Sequence, residues 1–198
     1  MPEPQTSLTL LGSLRDGGDA GAWQRFDATY RPVLMAFGCE LGLSEHDADE
    51  AAQRTVIQFR ESYLRGNYDR DRGRFRNWLF GIAKHAVGDL YAERARHPIP
   101  TSQRTELELA FSLMRDDVSL SAVWDRQWDR HIMGLCLQRA AGQFSARDLR
   151  IFEMLTVDDR PVQEVAEVVR ITRAAVYKVK HRVLAFLTAA RMEFEASA

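Results

Sequence analysis

Apolar residues recur at every third or fourth position through most of the chain, and no stretch keeps the strict alternation of a half-buried strand. Trp23, Phe26, Tyr30, Val33, Leu34 and Phe37 predict a first helical region over 19–38. Pro32 falls inside it and predicts a kink or a split. A second helix is predicted from Ser44 to Gly66. Ser44 is an N-cap type with Asp47 three residues on, and Ala48, Ala51, Ala52, Thr55, Val56, Phe59 and Tyr63 form one small and apolar stripe. The polar run NYDRDRG (67–73) reads as a loop. A third helix from about Arg74 to Arg94 sets Phe75, Trp78, Leu79, Ile82, Ala86 and Leu90 along one side. Pro98 and Pro100 close it. Four further helices are predicted at about 119–141, 145–156, 161–169 and 172–192, with Ser145 and Asp148 as a start signal. The expectation is an all-α fold with two small helical domains, 19–97 and 119–192, joined by a linker at 98–118. Residues 1–18 read as an N-terminal extension and 193–198 as a tail.

The last two helices have the pattern of a helix-turn-helix. Val162, Val165, Ala166 and Val169 make the apolar side of a short helix, and Arg170-Ile171 makes the turn. Thr172 is placed to cap the next helix, in which Val176, Val179, Val183 and Leu187 face inward. Arg173, Ala174, Tyr177, Lys178 and His181 then share the opposite face, flanked by Lys180 and Arg182. From Arg173 to Arg182 there are four Arg or Lys residues and no acid. A helix of this kind fits the DNA major groove, with its first half at base edges and the flanking cations on phosphates. Arg173 in a first turn opposes the helix dipole, which points to a role other than helix stability.

Charge is distributed in blocks that the formal net of −1 conceals. Lys and Arg number 5 against 10 Asp and Glu over residues 1–62, and 8 against 4 over 63–97. They number 7 against 10 over 98–159, and 7 against 4 over 160–198. Two basic blocks thus coincide with the loop-and-third-helix segment and with the helix-turn-helix, and local positive charge is what phosphate contacts require. Other classes find little footing. No P-loop, HExxH or GxSxG occurs, and the five histidines (His46, His85, His97, His131, His181) are scattered, so neither catalysis nor a cofactor is expected. Cys39 and Cys136 lack the spacing of a metal site and are expected to be small buried hydrophobes. No apolar run approaches the ~20 residues of a membrane span, and the first residues lack the basic flank of a signal peptide. A cytoplasmic protein without membrane insertion is the expectation.

The segment RDRGRFRNWLFGIAKHAVGDL (70–90) interleaves Phe75, Trp78 and Phe80 with Arg70, Arg72, Arg74, Arg76 and Lys84. Rings among cations suit single-stranded nucleic acid, where bases stack on rings and cations follow the backbone. With DADEAAQRTVIQF (47–59) upstream and the helix-turn-helix downstream, the chain resembles a bacterial RNA polymerase sigma factor of the sigma-70 family, of the small extracytoplasmic-function group. The resemblance runs from about Asp19 to Ala190 and weakens across 98–120.

That resemblance implies roles position by position. The helix 47–63 is similar to the part that docks on core polymerase, and Glu50, Gln53, Arg54, Ile57 and Glu61 lie on its face opposite the apolar stripe. The loop and helix start resemble the segment that captures unstacked bases of the minus-ten element. Arg72, Arg74, Phe75, Arg76, Trp78, Lys84 and His85 are its candidates here. The last helix resembles the reader of the minus-thirty-five element, through Thr172, Arg173, Ala174, Tyr177, Lys178, Lys180, His181 and Arg182. Core polymerase and promoter DNA, duplex and opened, are the implied partners. Members of this group are commonly held by an anti-sigma factor, so the resemblance leaves room for that partner too. The chain departs from the family pattern at His85, where Asn is frequent, at Ala92, where a basic residue is usual, and at Val169-Arg170, where Gly is common. The alternative reading is a helix-turn-helix transcriptional regulator that does not bind core polymerase.

Overall fold

The structure, a computed structural model, describes residues 7–15, 21–69, 71, 73–96, 112, 114 and 116–196. Among the described residues the regular structure is helical, with no strand, as the periodicity predicts. The helices are α1 Ser7–Arg15, α2 Ala22–Glu40, α3 Glu45–Leu64 and α4 Phe75–Ala95, then α5 Asp117–Ala141, α6 Ala146–Thr156, α7 Val162–Val169 and α8 Arg173–Ala196. None is long and apolar enough to cross a membrane. The described residues divide into two compact units inside α5, one ending at His131 and the other beginning at Ile132.

That division differs from the expected linker at 98–118, most of which lies outside the described residues. Residues 119–131, expected to open the second domain, belong to the first unit. Their apolar side chains explain it: Leu120, Trp124 and Trp128 are fully buried on one face of α5. Trp124 meets Phe37 edge-on at 5.4 Å, and Trp128 stacks on Tyr30 at 5.9 Å.

In the first unit α2, α3 and α4 pack closely around rings, with Phe26 stacked on Phe59 at 4.5 Å and Phe75 against both Tyr30 and Phe59. The Ser44 hydroxyl accepts the Asp47 N–H at 3.2 Å and starts α3 as predicted. Of the two outcomes expected at Pro32, the split does not occur, and α2 runs as one helix through it. Pro32 and Ala28, whose carbonyl loses its partner, are both exposed, so water can take that carbonyl. The N-terminal extension contributes α1, which the periodicity left unassigned. Leu10, Leu11 and Leu14 are buried, and the Tyr63 hydroxyl donates to the Leu11 carbonyl at 2.6 Å. Cys136 is buried as expected, but Cys39 is exposed at the end of α2.

The second unit has its own core. Ile151, Met154, Leu155, Val165, Ala166 and Val176 are buried together, with Val162, Val169, Ile171 and Val179 packed around them. Ser145 caps α6 by accepting the Asp148 N–H at 3.1 Å. Burial of this set draws α6, α7 and the first half of α8 into one bundle and leaves the outer face of α8 in water.

Candidate nucleic-acid interface

The helix-turn-helix begins at the end of α7. The Ile171 N–H reaches the Ala166 carbonyl at 3.1 Å and the Arg170 N–H the Glu167 carbonyl at 3.3 Å, closing a Schellman turn. Its left-handed position, the usual place of Gly, is Arg170 at φ 54° and ψ 51°. Ile171 packs back on the core, and Arg147 of α6 donates to the Val169 carbonyl at 2.6 Å, so the last carbonyls of α7 find partners despite the missing Gly. The Ala175 N–H then bonds the Thr172 hydroxyl at 3.2 Å and α8 starts.

Along α8, Val176, Val183 and Leu187 are buried and Val179 partly so. Thr172, Arg173, Ala174, Tyr177, Lys178, His181 and Arg182 are exposed and Lys180 is half-buried, the face that the periodicity predicts. Arg182 lies 5.5 Å from the Phe144 ring. Among the described residues none of Arg173, Lys178, Lys180 and Arg182 has an acidic partner. Elsewhere cations are widely paired, as in Arg31 with Asp27, Arg139 with Glu193 and Arg160 with Glu164.

The loop-and-α4 segment differs. Arg72 lies outside the described residues. Arg74 is exposed just before α4, and His85 is exposed on its outer side. Phe75 is 0% exposed among Phe26, Tyr30 and Phe59. It therefore leaves the set of base-contacting candidates, because no base can reach a ring that the core encloses. Trp78 is half-buried and stacks on Tyr68 at 4.9 Å with an 18° tilt. Tyr68 joins the site only through the fold, since a single aromatic in a polar run gives no periodic signal. Arg76 and Lys84 are ion-paired with Asp125 and Asp117 of α5. Arg76 also lies 5.7 Å from the Trp128 ring.

On α3, Gln53, Ile57 and Glu61 are exposed, with Ile57 50% so, and Glu50 and Arg54 are half-buried. Arg54 grips both oxygens of Glu93 on α4, at 2.7 and 2.9 Å, and Glu50 at 2.6 Å. Its guanidinium holds the Glu93 carboxyl below the ordinary carboxylate range. Glu61 pairs with Arg65 at 3.0 Å. The structure thus keeps Gln53 and Ile57 as an open surface and commits Arg54 to the α3–α4 contact.

The second unit also carries an apolar groove of about 850 Å³ between α5, α6 and α8. Leu137, Leu184 and Val157 on its walls are 44%, 46% and 75% exposed. These positions come from α5, α8 and the turn that follows α6, so no single periodicity marks them. No protein-family model, curated protein or solved structure matches this chain.

Proposed function

We propose that this chain is an RNA polymerase sigma factor of the extracytoplasmic-function kind. It binds core polymerase through the outer face of α3 and directs promoter recognition and strand opening, in the cytoplasm and without a cofactor. The observation that carries the DNA-binding part is the outer face of α8: exposed cations with no acidic partner among the described residues, on a helix with a formed cap and turn. Unneutralised cations on one helix face are what phosphate recognition uses. In this reading α8 meets duplex DNA at the minus-thirty-five element. The segment around Arg74, Trp78 and His85 handles the opened minus-ten strand, with Tyr68 and Trp78 as a stacked aromatic pair beside it.

The second reading, a helix-turn-helix regulator that leaves core polymerase alone, is favoured by Arg54, whose hydrogen bonds are spent on Glu50 and Glu93 rather than held for a partner. Core polymerase separates the two. The sigma reading expects the purified chain to co-elute with core enzyme and to start transcription from discrete sites on genomic DNA. A chain that binds duplex DNA but neither retains core enzyme nor starts transcripts is a regulator.

A further inference from the structure

In the first unit α5 lies with its acids against the cations of α4. Lys84 meets Asp117 at the start of α5, and Arg76 meets Asp125 two turns further on. The carboxylates sit at the solvent edge, with side chains 77% and 60% exposed, while Lys84 and Arg76 are 29% and 24% exposed. The anchoring of α5 lies elsewhere, in buried Leu120, Trp124 and Trp128 and in the bonds of Arg126 and Gln127 to Glu40. The acids are therefore replaceable without unpacking the helix. Exposed ion pairs contribute little net stability, so another anion of the right spacing can take their place.

We propose that Asp117 and Asp125 act as internal phosphate mimics: they occupy on Lys84 and Arg76 the places that phosphates of a single-stranded nucleic acid would take, and so restrain its binding until the strand displaces them. The proposal rests on the reading of the α4 segment as a single-strand path. It adds a restraint built into the same unit. A strand that binds here exchanges carboxylate for phosphate at two cations, so part of its electrostatic gain is already spent. Part of the expected counterion release is lost with it.

The test uses the full chain and its D117N/D125N double variant, since both Asp side chains are exposed and Asn preserves their shape. Binding of a single-stranded oligothymidylate is measured over roughly 50–200 mM salt, the range in which phosphate contacts dominate. In parallel, acylation of Lys84 is followed by mass spectrometry. The expected result is roughly threefold to tenfold tighter binding by the variant at the low-salt end, as two weak exposed pairs would allow. Its salt dependence is expected to be steeper by up to about 1.4, the value for two single-strand phosphates. Lys84 should react faster in the free variant and be protected when oligothymidylate is added. Equal binding by the two proteins, with Lys84 protected in both, overturns the restraint and leaves the single-strand path standing. Binding by neither protein, or binding that never protects Lys84, overturns the path itself and the proposal with it. Weaker binding by the variant also overturns it, because the acids then help to build the site.

Discussion

Arg170 holds a left-handed conformation that glycine adopts without a Cβ penalty, at the position where a Schellman turn most often has glycine. The same turn ends α2 at Gly42 (φ 95°) and α3 at Gly66 (φ 76°). Arg170→Gly is expected to stabilise the second unit by about 0.5–1 kcal/mol, the relief of a left-handed residue less the entropy that glycine adds to the unfolded chain. A urea midpoint that falls instead would show that Arg170 makes a compensating contact. His131 offers a pH test in the first unit. Burial beside Tyr30 lowers it from its ordinary range to about 4, against a weaker opposing bond to the Thr29 backbone. The folded state therefore binds fewer protons than the unfolded one between pH 6.5 and 4. Its stabilising effect is complete above pH 6.5 and is lost as pH falls toward 4, by about 3 kcal/mol. Urea unfolding against pH should show a slope near one proton in that window, and His131→Gln should remove it. A variant with the same slope as wild type would assign the acid sensitivity to carboxylates.

At the scale of single helices, α8 and the start of α4 make predictions about different steps of DNA engagement. Arg173→Ala and Lys178→Ala each remove an exposed cation from α8 and should weaken binding to promoter duplex. Each should lower the slope of log affinity against log salt by about 0.9 per phosphate lost. Unchanged slopes in both variants would move the reading helix elsewhere. Trp78→Ala removes a half-buried ring stacked on Tyr68 and packed 5.0 Å from Phe59. It is expected to impair strand opening, read by permanganate reactivity of unpaired thymines, more than initial promoter binding read by gel shift. Equal losses in both would assign Trp78 to the core. Much of this was legible beforehand. Ser44, Ser145 and Thr172 each announce a helix start, because a hydroxyl cap is a local bond between near neighbours. Phe75 carries two expectations, the apolar side of its helix and the base-contacting set, and its enclosure by Phe26, Tyr30 and Phe59 upholds the helical period against the role that the resemblance implies. The carboxylates that claim Arg76 and Lys84 lie 49 and 33 residues further on, beyond the reach of any helical period.

At the scale of the whole molecule, the division inside α5 predicts two unfolding events that can be perturbed one at a time. Trp128 is 1% exposed, against Tyr30 and Phe75 of the first unit. Trp128→Ala should cost about 3–5 kcal/mol and shift only the transition of that unit. In calorimetry or in denaturant with residue-level hydrogen exchange, the amides of α6, α7 and α8 should keep their protection. A single transition that moves as one would mean that the units unfold as one body. The sequence by itself determined seven of the eight described helices, the three hydroxyl caps at Ser44, Ser145 and Thr172 and the polarity of the α8 surface, since each follows from spacing within one helix or from a bond to a near neighbour. Tertiary structure alone decided that α2 passes unbroken through Pro32, that α1 joins the core, and that the first half of α5 belongs with α2 and α4. It also decided which cations stay open on α8 and which are already paired on α4. Those outcomes depend on contacts between residues far apart in the chain, where burial and charge partners outweigh local preference.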